Sequence, residues 1–514
     1  MLSKSKFIQG MQCSKMLWLA EHKPEILEQA NDAYGELDDK MQEGKEVGQL
    51  ARELFAGGVE VAYNTDTKQM VARTQELLEQ GVETIYEATF EFQGIVVMVD
   101  ILEIRSDGVV LNEVKSSTSA FDGKNNKDKD KIKHKEEYLW DLGIQYYVLA
   151  GLGYNIKGAF LICLNNTYIR KGQLDLEQLF LKNDFLEFIK DFQSEISQRL
   201  EDIHNTLKNP QEPDTDIGAH CNQPYECLAK HHCWEKQRGI VGHEHIFAIY
   251  RHGFSSKIMK LYQNKKIFFK DLEEKDILTL TDNQRIQVEC AKTNTIHIKE
   301  GKIKEFLSTL KYPVYHLDFE TYKPAIPPFD GTKPHGQVPF QYSIHIDHGD
   351  GKLEHGEFLA ACGTDGRLEL AQRLVADIPS GACVLAYHAD FEERVLTELA
   401  QLFQTAHQDL SKALLAIRDH IIDLETPFAK KYHYTPGMHG SSSIKNVLPA
   451  LVPEFEKAYK DLELVHKGTE AMAIYAKMPS MPKEQQDKYK KALLEYCKLD
   501  TLAMVKVLEV LRGM

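Results

Sequence analysis

The sequence predicts an α/β protein built around more than one sheet, and three observations lead there. The chain has 514 residues, more than one core of ordinary size accommodates. Up to about residue 237, short β-branched and apolar runs alternate with longer helix-like stretches. A second such pattern begins at Tyr312-Pro-Val-Tyr-His-Leu-Asp and runs to the end. Between them, from Ile240 to about Lys311, lies a mostly polar stretch that reads as helical. The expected division is therefore 1–237, a helical connector at 238–311, and 312–514.

Composition narrows the class. Hydrophobic residues make up 43% and charged residues 27%, as in ordinary globular chains. No apolar run is long enough to cross a bilayer. The opening M-L-S-K-S-K-F-I-Q-G lacks the apolar core and cleavage site of a signal peptide. A cytoplasmic location without a membrane partner is expected. Nine cysteines in a reducing compartment point to metal binding rather than disulfides. The net charge of −15 argues against a passive, charge-driven coat on nucleic acid. It is compatible with an enzyme whose acidic residues hold cations. The one basic run, Gly123–Lys135, reads as a solvated loop or as a phosphate-gripping one.

In chain order, the first chemical signal is Cys13. Its partners come much later, at Cys221, Cys227 and Cys233, in C-N-Q-P-Y-E-C-L-A-K-H-H-C. Such a set suits a metal clamp on the two ends of one domain, with His220, His231 and His232 as further ligands for zinc. Between the ends, Glu43–Arg52 reads as a helix. Gly94–Ile104 and Val109–Ser116 read as two strands around the turn Ser106-Asp107-Gly108. Folding them about that turn brings Asp100 roughly opposite Glu113, with Lys115 on the same face. Two carboxylates and an ammonium at one spot suit metal-assisted phosphodiester hydrolysis. Asp100 and Glu113 would hold Mg²⁺ or Mn²⁺ through oxygen, and Lys115 would orient water or stabilise developing charge. The bland reading is an exposed cross-strand acid/base cluster.

A second acidic set follows in the last two hundred residues. Val314–Tyr322 is a strand with Asp318 and Glu320 on one face, and the Pro- and Gly-rich loop Pro324–Gln337 follows it directly. Val384–Leu396 is a strand running into a helix that carries Asp390 and Glu392. Glu495–Thr501 is helical, with Tyr496 one turn before Asp500. Four carboxylates in such an order can hold two divalent ions about 3.5–4 Å apart. His439–Pro449, H-G-S-S-S-I-K-N-V-L-P, either binds phosphate through Ser442 and Lys445 at a helix start or uses its serines as a plain N-cap.

These motifs carry family resemblances. Asp100…Glu113-Val114-Lys115 resembles the core of PD-(D/E)XK nucleases. Asp141–Ala150, D-L-G-I-Q-Y-Y-V-L-A, is similar to the helix of the RecB subfamily. Gln145 matches its glutamine, and Tyr146 or Tyr147 stands near the place of its tyrosine. Glu43–Arg52 looks like that family's first helix, whose histidine is absent here, so Glu46 or Glu43 would supply the third metal ligand. The cysteine order resembles RecB-like nucleases of the CRISPR-associated exonuclease type, which carry a 4Fe–4S cluster, although gaps of five and five depart from the usual spacing. Structural Zn²⁺ is the rival. Asp318-x-Glu320, Glu392 (or Asp390) and Tyr496-x-x-x-Asp500 resemble the three motifs of DEDD exonucleases, with Glu392 where the family has Asp.

The whole chain resembles predicted RecB-family nucleases with a C-terminal RNase H-like domain. The resemblance implies a PD-(D/E)XK restriction-endonuclease-like domain followed by an RNase H-like mixed-sheet domain. It implies metal-dependent cleavage of DNA, single-stranded or with free ends, with Lys115, Gln145 and Tyr496 as catalytic residues. Two other readings stand beside it. One is an RNA 3′–5′ exonuclease. The other is a nucleic-acid-binding scaffold with one decayed site, favoured by the missing histidine and the Glu at 392.

Overall fold

A computed structural model gives the fold. It describes residues 1–28, 34–118 and 136–514; the basic run Gly123–Lys135 lies outside the described residues. The chain forms two compact units. One comprises Met1–Gly239 with Ala325–Gly336, the other Ile240–Pro324 with Gln337–Met514. Both are mixed α/β structures with mixed sheets. Among the described residues, no helix is long and apolar enough to cross a membrane.

The first unit contains strands β1 (Leu2–Ser3), β2 (Val59–Glu60), β3 (Thr84–Phe92), β4 (Ile95–Arg105), β5 (Gly108–Lys115), β6 (Ile156–Leu164) and β7 (Phe180–Asp184). Its helices are α1 (Lys4–Gln12), α2 (Ser14–His22), α3 (Glu25–Glu28), α4 (Tyr34–Arg52), α5 (Thr67–Glu79), α6 (Glu136–Gly151), α7 (Leu176–Leu179) and α8 (Leu186–Lys208). The sheet order is β2-β3-β4-β5-β6-β7, and β1 pairs with β4. The β4–β5 ladder runs from Arg105↔Gly108 to Ile101↔Asn112, so the next position sets Asp100 against Glu113, as the hairpin pattern predicts. Gly108 fixes this register. It has φ +153, and a Cβ there would stand 2.0 Å from the Asn155 carbonyl. β3 covers one edge of β4. The other edge is shared: Ile95 and Val96 take β1, while Ile101 onward take β5. Asp100 falls in the gap between those two ladders. Buried Leu17, Val97, Val99, Leu111, Ile144, Val148 and Leu200 form the core between the sheet and its helices.

In the second unit the helices come first: α9 (Ser256–Gln263), α10 (Glu274–Ile277), α11 (Asp282–Thr293) and α12 (Glu300–Leu307). The stretch 240–311 carries these helices with β8 and irregular segments between them, and it groups with the residues that follow. Strands β8 (His297–Ile298) and β14 (His433–Tyr434) form a small pair. The main sheet is β9 (Val314–Tyr322), β10 (Val338–Asp347), β11 (Leu353–Leu359), β12 (Cys383–Ala386) and β13 (Ile421–Asp423). Its order is β11-β10-β9-β12-β13. β9 is central, antiparallel to β10 and parallel to β12. Helices α13 (Arg367–Asp377), α14 (Asp390–Phe403) and α15 (Gln408–Arg418) bury Leu370, Leu374, Leu396, Leu399 and Leu414 with sheet residues Leu317 and Tyr342. After α16 (Thr426–Ala429), α17 (Ile444–Leu451), α18 (Phe455–Lys460) and α19 (Gly468–Lys477), the chain ends in α20 (Lys483–Arg512). Buried Ala503, Met504, Val507 and Leu508 of α20 pack with Val314 and Leu385.

Candidate active sites

In the first unit, β4, β5 and α6 bring Asp100, Glu113, Lys115, Asp141 and Gln145 together. The Val114 N–H donates to Asp100 Oδ2 at 2.8 Å, which locks the two strands across the gap. Glu113 is 2% exposed. Its Oε1 accepts from Lys115 Nζ at 2.6 Å, and its Oε2 accepts from Gln145 Nε2 at 2.8 Å. Asp141 is one helical turn before Gln145 on α6 and accepts from Lys115. Lys4, at the start of α1, reaches the same carboxylates: 3.0 Å from Glu113 Oε1 and 2.9 Å from Asp141 Oδ1.

The electrostatics follow from burial. Burial, then Asp100 and Asp141, pushes the Glu113 carboxyl up to about 7. Burial likewise lifts Asp100, with Glu87 adding to the effect and Lys4 and Lys115 opposing it. Asp141 goes the other way: burial would raise it, but Lys115 and Lys4 hold it far below the usual carboxylate range. Burial opposes charge on Lys115 too, but Asp141, Glu113 and Asp100 keep it firmly protonated.

The third metal ligand expected from α4 is not brought in as Glu46. Glu46 is exposed and accepts from Gln42 Nε2 at 3.1 Å. Glu43 is half-buried, beside Ser116 and His335. Of the two tyrosines weighed after Gln145, Tyr147 donates to Gln93 and Tyr146 packs in the core. Glu87 was not foreseen. It has φ 57 inside β3, takes the register position facing Asp100, and pairs with Arg52 at 2.8 Å. A non-glycine residue held there mid-strand is a local strain of the kind found at functional sites.

The four cysteines are buried, and their sulfurs lie close enough to repel as thiolates. Burial, then Cys13, Cys221 and Cys233, lifts the Cys227 thiol to about 12. His220 hydrogen-bonds to both Cys13 and Cys221, which raises its ring to about 10. The other two histidines are engaged with carboxylates, His231 with Glu235 at 2.8 Å and His232 with Glu212 at 3.0 Å. Among the described residues, the group of three or more metal-ligating atoms within 4.8 Å of one another is Asp318, Glu320 and Asp500. The four thiols do not form such a group.

That acidic trio is the centre of the second unit. Asp318 and Glu320 share a face of β9, and Asp500 reaches them from α20. Burial and then the Asp500 charge hold Asp318 well above the usual range; burial, then Asp318 and Asp500, do the same to Glu320. Burial pushes Asp500 up to about 6, while hydrogen bonds from Tyr459 and Tyr496 pull the other way. The Tyr459 hydroxyl donates to Asp500 Oδ1 at 2.6 Å. The Cys497 thiol faces Asp318 Oδ2 at 3.7 Å. Glu392, not Asp390, lies near this trio, outside the set within 4.8 Å. Glu392 is buried at the start of α14, accepts from the Phe319 N–H and feels the Asp318 charge. Its Oε2 is buried without a hydrogen-bond partner. Asp390 is exposed. Asp423, at the end of β13, is held by the N–H groups of His388 and Glu425 and adds a further negative charge near Glu392. Gly468 at the start of α19 borders the site: a Cβ there would stand 3.7 Å from Glu320 Oε2 and 3.9 Å from Tyr496 Oη, in ordinary contact.

The serine segment departs from both readings given above. Ser442 is buried and donates to Glu425 Oε1 at 2.6 Å, which commits its hydroxyl elsewhere than to a phosphate. Ser443 occupies the N-cap of α17 without a side-chain cap bond. Lys445 is exposed and its charge is felt at Glu320 and Asp500.

Residues 315–443, which include most of this site, match a family described as a domain of unknown function, DUF2779. An uncharacterised protein of Ureaplasma parvum serovar 3 is 26% identical over 206 residues. That match covers 38% of this chain and 29% of the relative's length. No solved structure matches the chain.

Proposed function

We propose that the protein is a divalent-metal-dependent nuclease acting on DNA, with a PD-(D/E)XK-like first unit and an RNase H-like second unit of the DEDD type. The observation that carries this reading is the oxygen cluster of buried Glu320 with half-buried Asp318 and Asp500, within 4.8 Å. Burial, and then repulsion between neighbours, raises the Asp318 and Glu320 carboxyl groups, and the buried Glu392 Oε2 lacks a partner. Buried like charges of this kind call for a cation. The D-x-E pair on a central strand, in a sheet ordered β11-β10-β9-β12-β13, supports the RNase H-like assignment.

When bound, Mg²⁺ or Mn²⁺ would supply charge neutralisation at the phosphate and a more acidic water. In the second unit Asp318, Glu320 and Asp500 would hold it, with Glu392 completing the set. Tyr459 and Tyr496 orient Asp500 by hydrogen bonding to it, and Tyr496 would position the attacking water. In the first unit Asp100 and Glu113 would be the ligands. Gln145 orients Glu113, and Lys115 presents an ammonium to developing negative charge. The four cysteines would hold a 4Fe–4S cluster that pins the two ends of the first unit, a structural task.

The test uses end-labelled single-stranded DNA, duplex DNA and RNA with Mg²⁺ or Mn²⁺. Degradation of DNA that falls stepwise in Lys115→Ala, Asp318→Ala and the double variant is expected. Absence of metal-dependent cleavage of any of these polymers by the wild type would refute the proposal. Cleavage of RNA alone would make it an RNA exonuclease.

A further inference from the structure

Two ammonium groups, not one, reach the first carboxylate cluster. Lys115 belongs to β5, whereas Lys4 lies 109 residues from Glu113 in sequence. Lys4 Nζ donates to Glu113 Oε1 and Oε2 at 3.0 and 3.2 Å and pairs with Asp141 Oδ1 at 2.9 Å. Lys115 Nζ pairs with Glu113 Oε1 at 2.6 Å and with Asp141 Oδ2. Both lysines therefore bridge the same two carboxylates. One suffices to keep the pair from being buried unpaired.

A short N-terminal arm holds Lys4 in place. β1 pairs with the free edge of β4 and stops at Ser3↔Val96, short of Asp100. The Ser3 hydroxyl caps α1 by accepting from the Lys6 N–H at 3.2 Å. Gly10 lets α1 lie against Ile203 of α8, where a Cβ would come within 2.7 Å. Gln12 donates to the His220 and Tyr225 carbonyls at 2.8 and 2.7 Å, and Cys13 ends the helix. The helix that carries Lys4 is thus fastened at both ends.

Charge counting shows what the second ammonium is for. Asp100, Glu113 and Asp141 against Lys4 and Lys115 leave one net negative charge. A divalent cation and one phosphodiester bring the sum to zero. Without Lys4 the loaded site stays negative, in a place where charge is poorly solvated. Glu113 is also saturated by Lys4, Lys115 and Gln145, so a cation that takes this carboxylate must displace a donor. Gln145 is fully buried on α6, and Lys115 shares its strand with Glu113. Lys4 and Lys115 have similarly exposed side chains, 24% and 21%, but Lys4 comes from the separate N-terminal arm and not from the strand of Glu113, so it is the donor that can leave without moving the carboxylate.

We propose that Lys4 is a substrate-binding residue of this site: as the cation takes Glu113, the Lys4 ammonium turns to the phosphate of the nucleic-acid strand. This rests on the nuclease reading of the first unit. The test uses full-length protein carrying Asp318→Asn, so that the second site is silenced, and a fluorescent single-stranded DNA with Ca²⁺ as a non-turnover cation. Adding Lys4→Met is expected to weaken DNA binding about tenfold or more. Lys4→Arg should keep binding within about threefold, and Mn²⁺ affinity in Lys4→Met should be unchanged or tighter because a competitor for Glu113 is gone. DNA binding unchanged within about twofold in a folded Lys4→Met protein overturns the proposal. Parallel loss of DNA and Mn²⁺ affinity in both Lys4 variants also overturns it, because that marks a purely structural lysine. If the parent protein itself shows no Ca²⁺-dependent DNA binding, the nuclease reading of this unit fails, and Lys4 with it.

Discussion

Replacing Asp318 with Asn should make the metal-free protein more stable, the reverse of what removing a buried hydrogen-bonding residue usually does. Asp318, Glu320, Asp500 and Glu392 crowd negative charge into a buried site, and each carboxyl is raised above its ordinary range. A raised carboxyl prefers its proton in the folded state. It therefore costs stability once the pH is high enough to ionise it, and the cost vanishes in acid. For Asp500 the rise is from 3.8 to about 6, which at neutral pH corresponds to a ceiling of about 3 kcal/mol. The cost is absent below about pH 4, grows as pH rises, and is complete above about pH 6. Burial alone causes that rise at Asp500; Asp318 is raised by burial and then by the Asp500 charge, so Asp318→Asn removes a cost of the same kind and should recover about 1–2 kcal/mol. For a unit of this size that is a rise of roughly 2–6 °C in melting temperature at pH 7.5, measured by calorimetry with chelator present. Mn²⁺ should stabilise the wild type more than the variant, which keeps the first site but has lost a ligand of the second. A variant that melts lower than wild type at pH 7.5, or that Mn²⁺ stabilises equally, would contradict the repulsion argument.

Other consequences can be checked in parallel. Glu392→Gln should slow cleavage by the second unit about tenfold or more, while Asp390→Asn, at an exposed position, should leave the rate unchanged; equal effects would remove Glu392 from the site. Tyr459→Phe deletes the donor to Asp500 Oδ1 and should cost about 1 kcal/mol of stability and raise the Mn²⁺ concentration needed for half-maximal rate. Protein purified without oxygen should contain iron and absorb in the visible, and Cys13→Ser should lose both and melt lower. Stoichiometric zinc without iron in the wild type would sink the cluster assignment.

Local pattern made half of each site legible. Alternation along β4 and β5, and turn residues ending in Gly108, are enough to set Asp100 against Glu113 with Lys115 two positions on. The four-residue spacing of Tyr496 and Asp500 places them on one face of α20. Asp141 is legible as well, one turn before Gln145 in Asp141–Ala150. Lys4, Tyr459 and Glu87 are not. Lys4 arrives through a two-residue strand, too short to leave a periodic signal. Tyr459 meets Asp500 from another helix, 41 residues away. The left-handed backbone of Glu87 arises from the sheet around it. The serine segment shows the converse error: its composition suits a phosphate, but Glu425, seventeen positions away, claims Ser442.

The most direct measurement of the central claim is the rate at which protein carrying Lys115→Ala, with the first unit silenced, releases nucleotides from 5′- and 3′-labelled single-stranded DNA in Mn²⁺. Cleavage that persists there and disappears when Asp318→Ala is added would establish Asp318, Glu320 and Asp500 as a self-sufficient metal-dependent nuclease centre. Cleavage that survives both substitutions, or a second unit inert under all conditions while binding Mn²⁺ no better than the Asp318→Ala protein, would contradict it.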